Sequence, residues 1–227
     1  MPAYVLASAA FIVYLVANTH AGYVLGITIG LIEDPEITAF QQETVSHHLR
    51  RDRNLTPGRL IFLGDSHILG LDVIQIAQDG VNFGIGGETT VGLRARIERY
   101  RSVSQARAVV IGIGYNDIGR RDAVQIVNNI RDILARLSKP VVLSGLLPVS
   151  QAQLETSTQA PEMNATIQSV NKMLRSVCRE NCVFADPYPV MDSLTDKPSY
   201  YEPDGVHLNA KGYLVWTRFL SEFTENP

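Results

Sequence analysis

Three side chains at two distant places in the sequence have the types and spacing needed for nucleophilic catalysis. Ser66 ends the run Phe-Leu-Gly-Asp-Ser, in which an apolar stretch leads into a glycine turn, and Asp204 stands three residues before His207. An imidazole that takes the serine proton makes the hydroxyl a nucleophile, and a carboxylate on the other ring nitrogen holds the tautomer and stabilises the imidazolium. Alone, Ser66 could be an ordinary helix N-cap, and the aspartate and histidine a surface loop. Together they predict nucleophilic catalysis by a serine, in which a tetrahedral oxyanion forms.

Two further segments offer donors for the negative charge that this reaction develops on oxygen. Gly84, Gly86 and Gly87 form a turn whose backbone N–H groups can approach a ligand without interference from a Cβ atom. Asn116, after the third apolar run, carries a neutral amide donor. The turn does not fit a dinucleotide fingerprint, because Thr89 stands where the third glycine is required. The pattern therefore predicts an oxyanion site and no organic cofactor.

The elements that must position these residues alternate between strand and helix. Strand-length apolar runs occupy residues 59–63, 80–83, 106–113, 141–146 and 182–185, and helical patterns occupy residues 68–78, 90–100, 121–137, 162–179 and 210–223. Such alternation predicts a three-layer α/β/α sandwich around a five-stranded parallel sheet. The active-site crevice of this fold lies beyond the carboxyl ends of the strands, where all four segments fall. The polar stretch 150–161 is long enough to border that crevice.

The bulk composition indicates one catalytic domain. The chain has 227 residues, is 45% hydrophobic and carries a formal net charge of -3, so it has no basic field for nucleic acid. We assign residues 58–227 to the domain and the polar, poorly periodic residues 33–57 to a short helix or tether. His47 and His48 in that tether are expected to be solvated.

The first part of the chain has a membrane-targeting composition. No charged side chain occurs before Glu33, and residues 3–32 are largely apolar. This segment is a long membrane helix, a cleaved signal peptide with residues 4–17 as its apolar region, or a buried helical hairpin. No Lys or Arg precedes the apolar run, which favours the membrane helix. We expect attachment through residues 3–32 with the domain outside the cytoplasm, or a secreted protein if the segment is cleaved.

The two cysteines are close in sequence. Cys178 and Cys182 lie at the join between a predicted helix and a predicted strand. A disulfide is sterically possible and would suit an oxidising compartment, and two buried reduced thiols fit the sequence equally well. A zinc site is not predicted, because the pair has no second pair of suitably spaced ligands.

Taken in order, the four segments resemble the conserved blocks of the SGNH, or GDSL-like, hydrolases over residues 59–223. The resemblance implies a flavodoxin-like SGNH fold, with Ser66 as nucleophile and with Asp204 and His207 completing a triad. It also implies that the Gly87 N–H and the Asn116 side chain act as oxyanion donors beside the Ser66 N–H, with no metal or cofactor. The glycine block is most similar to the branch that contains lysophospholipase L1 and the catalytic subunits of platelet-activating-factor acetylhydrolase.

Two departures from the family pattern bear on the substrate. Tyr115 stands where the family usually has a small residue, and His67 follows the nucleophile. Both are candidates for narrowing the acyl pocket, which would suit a short acyl group such as acetyl. We therefore expect a serine esterase that acts on short-chain acyl esters of a carbohydrate or lipid. An O-acyltransferase on a sugar and a catalytically idle scaffold are the alternatives.

Overall fold

The computed structural model describes Phe11 and residues 35–150 and 160–224. The chain divides into two compact units, Met1–Glu36 and Ile37–Pro227, and the second contains the elements described below. The predicted membrane segment, residues 3–32, lies outside the described residues except for Phe11. Within the described part of the chain, no helix is both long enough and apolar enough to cross a membrane.

The second unit is built on the five-stranded parallel sheet that the sequence predicts. Its strands are β1 (Leu60–Gly64), β2 (Gly80–Gly84), β3 (Ala108–Gly112), β4 (Val141–Ser144) and β5 (Cys182–Ala185). Their spatial order is β2-β1-β3-β4-β5, and every neighbouring pair is parallel. In register, Gly64 stands beside Gly84 on one side and Gly112 on the other. The carboxyl ends of these three strands therefore finish level with one another.

Helices of unequal length cover the sheet. They are α1 (Ala39–Asp52), α2 (Ser66–Leu69), α3 (Thr90–Arg96), α4 (Arg101–Ser104), α5 (Ala123–Leu134), α6 (Ala160–Val177), α7 (Tyr188–Asp192) and α8 (Ala210–Thr224). The helix predicted over residues 68–78 is shorter than expected. α2 ends at Leu69, because the Asn82 side chain donates to the carbonyls of Ile68 at 2.6 Å and Leu71 at 3.0 Å, acceptors that a continuing helix would use.

The core consists of two apolar layers, one on each face of the sheet. Successive residues of β1 point to opposite faces, so Ile61 and Leu63 pack with side chains of α3, α5 and α6. Leu60 and Phe62 pack on the other face with Trp216 and other side chains of α2 and α8. These four side chains of β1 are fully buried. The strand is thus clamped between two helical layers, which holds the turn that follows it.

α1 packs on the domain rather than acting as a tether. Asp52, only 2% exposed, accepts hydrogen bonds from the backbone N–H groups of Arg101 at 2.8 Å and Ser102 at 3.1 Å at the start of α4. The ring centroid of His48 lies 5.0 Å from that of Phe83. The compact unit Ile37–Pro227 therefore includes α1. Long-range partners make this difference, because a helix that is polar by composition can still bury individual side chains.

The structure differs from the sequence-based prediction for His48, a residue of α1. His48 is half-buried against Phe83, not solvated, and burial together with nearby Arg96 and Arg51 lowers its pKa to about 4.

Of the two states that the sequence allows for the cysteines, the structure shows the disulfide. Cys178 and Cys182 are bonded, with Cα atoms 5.1 Å apart. This bond joins the residue after α6 to the first residue of β5.

Candidate active site

The turn after β1 places Ser66 at the start of α2. Gly64 has φ +157°, and a Cβ there would lie 1.9 Å from the Gly112 carbonyl oxygen, so only glycine allows β1 to approach β3 this closely. Asp65 caps α2 by accepting a hydrogen bond from the His67 N–H at 3.0 Å. Ser66 is therefore the first helical residue, and its hydroxyl lies at the carboxyl edge of the sheet.

An unbroken chain of hydrogen bonds joins the three residues predicted to be catalytic. Ser66 Oγ lies 2.9 Å from His207 Nε2, and His207 Nδ1 lies 2.6 Å from Asp204 Oδ2. The other carboxylate oxygen, Oδ1, accepts from the N–H groups of Val206 and His207, each at 2.9 Å. The side chains of His207 and Asp204 are 42% and 49% exposed. The arrangement is thus open to a substrate from solvent.

The carboxylate of this chain is held in its ionised form. Burial opposes ionisation of Asp204, but hydrogen bonds from the His207 ring and from two backbone N–H groups lower its pKa below the usual range. An ionised Asp204 accepts a hydrogen bond from the N–H at His207 Nδ1, which leaves Nε2 without a proton and facing Ser66.

The predicted oxyanion donors come from adjoining loops. Asn116 donates one amide hydrogen to the Glu88 carbonyl at 3.0 Å, so its side chain is tied to the glycine turn. The next residue, Asp117, is fully buried and accepts from the N–H of Thr90 at 2.8 Å. Gly87 has φ +69°, a conformation that favours glycine. The structure thus brings the glycine turn and Asn116 together, as the sequence predicts.

A buried ion pair between Arg96 and Glu88 lies beneath the glycine turn and was not predicted from the sequence. Arg96, 2% exposed, donates from Nη2 to Glu88 Oε2 at 2.6 Å and to the Phe83 carbonyl at 2.9 Å. It also donates to Tyr100 Oη at 2.9 Å. The pair therefore links both ends of the turn to α3. No local signal in the sequence identifies the pair, because Glu88 and Arg96 are eight positions apart and only the packing of α3 brings their side chains together.

His67 packs next to His207, and Tyr115 packs against the His67 ring. The His67 side chain is only 8% exposed, with Nε2 3.1 Å from the Val206 carbonyl oxygen and Nδ1 3.5 Å from Asp65 Oδ1. Both of its ring nitrogens thus face protein atoms. Tyr115 is half-buried and packs edge-on against His67, and burial raises the pKa of its phenol to about 12.

The polar stretch 150–161, which follows β4, borders the site at its first residue, Ser150. Ser150 donates its N–H to the Gly205 carbonyl at 2.8 Å, directly beside Asp204. A groove of about 500 Å³ opens here, with Ser150, Asn164, Lys197 and Tyr201 among the residues that line it. Residues 151–159 of this loop lie outside the described part of the chain. Within the described residues, no group of three or more His, Cys, Asp or Glu side chains could hold a metal ion.

Solved structures with the same fold include several acyl hydrolases. A Streptococcus pneumonia protein provisionally described as a platelet activating factor is 21% identical, with a TM-score of 0.72 over 87% of this chain and 98% of that one. A GDSL-like lipase from Bacteroides thetaiotaomicron is 20% identical, with a TM-score of 0.64 over 80% and 97%. An acetylxylan esterase from Geobacillus stearothermophilus is 19% identical, with a TM-score of 0.57 over 74% and 95%. At these identities the likeness shows the fold.

The family is shown by the sequence itself. No curated protein matches the chain. The model of the GDSL-like Lipase/Acylhydrolase family, however, matches residues 62–215, which include the Ser66 turn, the glycine turn, the Asn116 segment and the Asp204–His207 loop. The chain belongs to the GDSL-like lipase/acylhydrolase family and is a serine hydrolase of the SGNH type.

Proposed function

We propose that this hydrolase removes short acyl groups, in particular acetyl, from esters of a carbohydrate or lipid. Ser66 acts as nucleophile, His207 as general base and acid, and Asp204 as the carboxylate that orients the imidazole. The observation that carries the proposal is the hydrogen-bond chain from Ser66 Oγ through His207 to Asp204. A solvent-exposed imidazole in this chain can exchange protons with both the serine and an incoming water.

The reaction follows from these contacts. As Ser66 Oγ attacks the ester carbonyl, its proton passes to His207 Nε2, and Asp204 stabilises the imidazolium. The carbonyl oxygen becomes an oxyanion that accepts from the N–H groups of Ser66 and Gly87 and from the second amide hydrogen of Asn116. His207 returns the proton to the leaving alcohol, which leaves an acyl-enzyme. Water then gives a proton to His207 as it attacks the acyl carbonyl. His207 returns that proton to Ser66 Oγ, which leaves as the acid is released and restores the free enzyme.

The position of Tyr115 supports a short acyl group, because its half-buried ring packs edge-on against His67, the residue that follows Ser66. The phenol is uncharged at neutral pH, and burial raises its pKa further, to about 12, so the ring can act as an apolar wall. Acetylxylan is the substrate named for one protein of the same fold, which supports an acetyl ester as the first compound to test.

The groove beside Gly205 supports a polar alcohol as the rest of the substrate. Its lining combines hydroxyl, amide, ammonium and tyrosine side chains, which suit a sugar better than an alkyl chain. The same groove could hold a sugar that receives the acyl group in place of water. An O-acyltransferase that uses the same acyl-enzyme is therefore the second candidate.

The first experiment compares hydrolysis of p-nitrophenyl acetate, butyrate and octanoate by the full-length chain and by Ser66→Ala. We expect activity that falls with acyl length and is lost in the variant, whereas Ser46→Ala, an exposed serine on α1, keeps full activity. Acetyl groups found on an added sugar, with little free acetate, would favour the transferase. Failure of the folded chain both to hydrolyse the esters and to react at Ser66 with a fluorophosphonate would favour the idle scaffold.

We also propose that residues 3–32 attach the enzyme to a membrane with its domain outside the cytoplasm. The support is the apolar composition of the segment and the Cys178–Cys182 disulfide. Extraction of cell membranes at alkaline pH tests the attachment. An integral protein stays with the membrane, and release into the supernatant would contradict the proposal.

A further inference from the structure

The peptide between Gly86 and Gly87 carries one of the proposed oxyanion donors, and packing does little to hold it. Among the described residues, a Cβ on Gly86 would meet only a Leu69 methyl group at 3.8 Å, and a Cβ on Gly87 would meet only Gln41 Nε2 at 3.8 Å. Glycine on both sides permits a peptide to rotate between conformations that other residues rarely adopt. Hydrogen bonds must therefore set the direction of the Gly87 N–H.

Gln41 of α1 supplies such a bond. Its Nε2 donates to the Gly86 carbonyl oxygen at 3.3 Å, across 45 residues of sequence, and the residue is only 5% exposed. The other end of the same amide is fixed, because Gln41 Oε1 accepts from the Thr38 N–H at 2.9 Å in the capping box of α1. The amide is thus held at both ends and cannot follow the turn if the turn moves.

The planarity of the peptide carries this constraint to the donor. In a trans peptide, the C=O and N–H groups of the same plane point in opposite directions. A bond that holds the Gly86 carbonyl toward α1 therefore holds the Gly87 N–H away from α1. We propose that Gln41 is a positioning residue of the oxyanion hole and acts through the Gly86–Gly87 peptide. This inference rests on the proposed function, in which the Gly87 N–H stabilises the oxyanion.

α1 is suited to this role because it is fixed to the same strand that leads into the turn. Arg51 donates to the Asn82 carbonyl, and its guanidinium lies 4.7 Å from the centroid of the Phe83 ring. Asp52, next to Arg51 at the carboxyl end of α1, accepts hydrogen bonds from the first backbone N–H groups of α4. Gln41 lies before the region that the family model matches, so α1 brings a residue from outside that region to the catalytic loop.

The test separates loss of the donor from loss of the helix cap. Gln41→Glu keeps the oxygen that accepts from Thr38 but removes the N–H that binds Gly86, and Gln41→Met removes both without adding charge. Loss of a whole oxyanion donor costs about 10²–10³-fold in kcat, and a donor that is merely misdirected costs less. We expect kcat for p-nitrophenyl acetate to fall about tenfold in both variants, with KM within about twofold of the parent. Gln42→Glu makes the same chemical change at the exposed neighbour and is expected to leave kcat unchanged.

Rates are measured on the full-length chain and divided by the number of sites that a fluorophosphonate labels, so partial unfolding does not lower them. The inference is overturned if kcat per site in both Gln41 variants equals that of Gln42→Glu, or if only KM changes. Failure of the proposed function looks different. In that case the parent is inactive, or Ser66→Ala is as active as the parent.

Discussion

His67 Nε2 lies 3.1 Å from the carbonyl oxygen of Val206, so the helix that begins with Ser66 is tied to the loop that carries His207. On the other side of the ring, Nδ1 faces the buried Asp65. An imidazole with acceptors at both nitrogens is best satisfied when both carry a proton. Burial opposes that charge, but the contacts with Asp65 and Val206 outweigh it and raise the pKa of His67.

His67→Leu should therefore reduce both stability and turnover. It removes the donor to Val206 and leaves the Asp65 carboxylate without its ring partner, which we expect to cost about 3 kcal/mol in the free energy of unfolding. kcat should fall about tenfold because the His207 loop is no longer fastened to α2. Urea unfolding and steady-state kinetics measure the two effects. Unchanged kcat would show that the Val206 contact does not position the base.

The same histidine predicts a loss of stability in alkaline solution. A histidine with a raised pKa stabilises the folded state below its unfolded value, near 6.5, and that contribution disappears as the pH rises through the folded pKa. The charged and titratable groups facing the ring are Asp65, Asp204, His207 and Tyr115. The free energy of unfolding should thus decline above about pH 7 in the parent and decline less in His67→Gln. Parallel pH curves for the two proteins would contradict this assignment.

Asp204→Asn tests the orienting carboxylate. An amide at this position presents an N–H to Nδ1 or accepts more weakly, so the imidazole loses the partner that fixes its tautomer. We expect kcat to fall on the order of 10²–10⁴-fold with little change in stability, because the side chain is 49% exposed. Asp132→Asn breaks the surface ion pair with Arg94 and serves as the matched control. Comparable rates in the two variants would remove Asp204 from the triad.

His48 predicts a loss of stability in acid. Its pKa is lowered to about 4 by burial, so below pH 6.5 the unfolded chain binds a proton that the folded chain does not, and the free energy of unfolding falls between pH 6.5 and pH 4. His48→Phe keeps a ring against Phe83 and should flatten this decline. Fluorescence of Trp216, which is buried and is the only tryptophan, reports unfolding in urea at each pH. His47→Phe, at an exposed position of the same helix, should leave the decline unchanged.

The disulfide is expected to contribute to stability but not to catalysis. Cys182 begins β5, whereas the site lies beyond the carboxyl ends of the strands, and the bond closes a loop of only a few residues. Replacing both Cys178 and Cys182 by serine should cost about 2 kcal/mol or less in the free energy of unfolding and leave kcat unchanged. Kinetics and urea unfolding of this variant provide the measurement. A large fall in kcat would indicate coupling between the two ends of the sheet.

The sequence alone was sufficient to predict the sheet and the meeting of Ser66 with His207 and Asp204. Local signals were enough because each motif directly follows a strand or precedes the last helix, and parallel strands bring their carboxyl ends to one edge. Once the strands are recognised, residues 141 positions apart in the sequence become neighbours.

The tertiary structure decided what surrounds those residues. Gln41 contacts Gly86 across 45 residues, the His67 ring turns toward Val206, and Arg96 is buried against Glu88. Each contact depends on how a helix packs and on which rotamer a side chain adopts. Neither property produces a periodic pattern in the sequence. From the sequence alone, a polar residue in a polar segment is predicted to be solvated. Only the tertiary structure shows the distant partner that makes its burial favourable. For that reason the sequence could identify the residues proposed to react, while the residues that hold them in place emerged only from the fold.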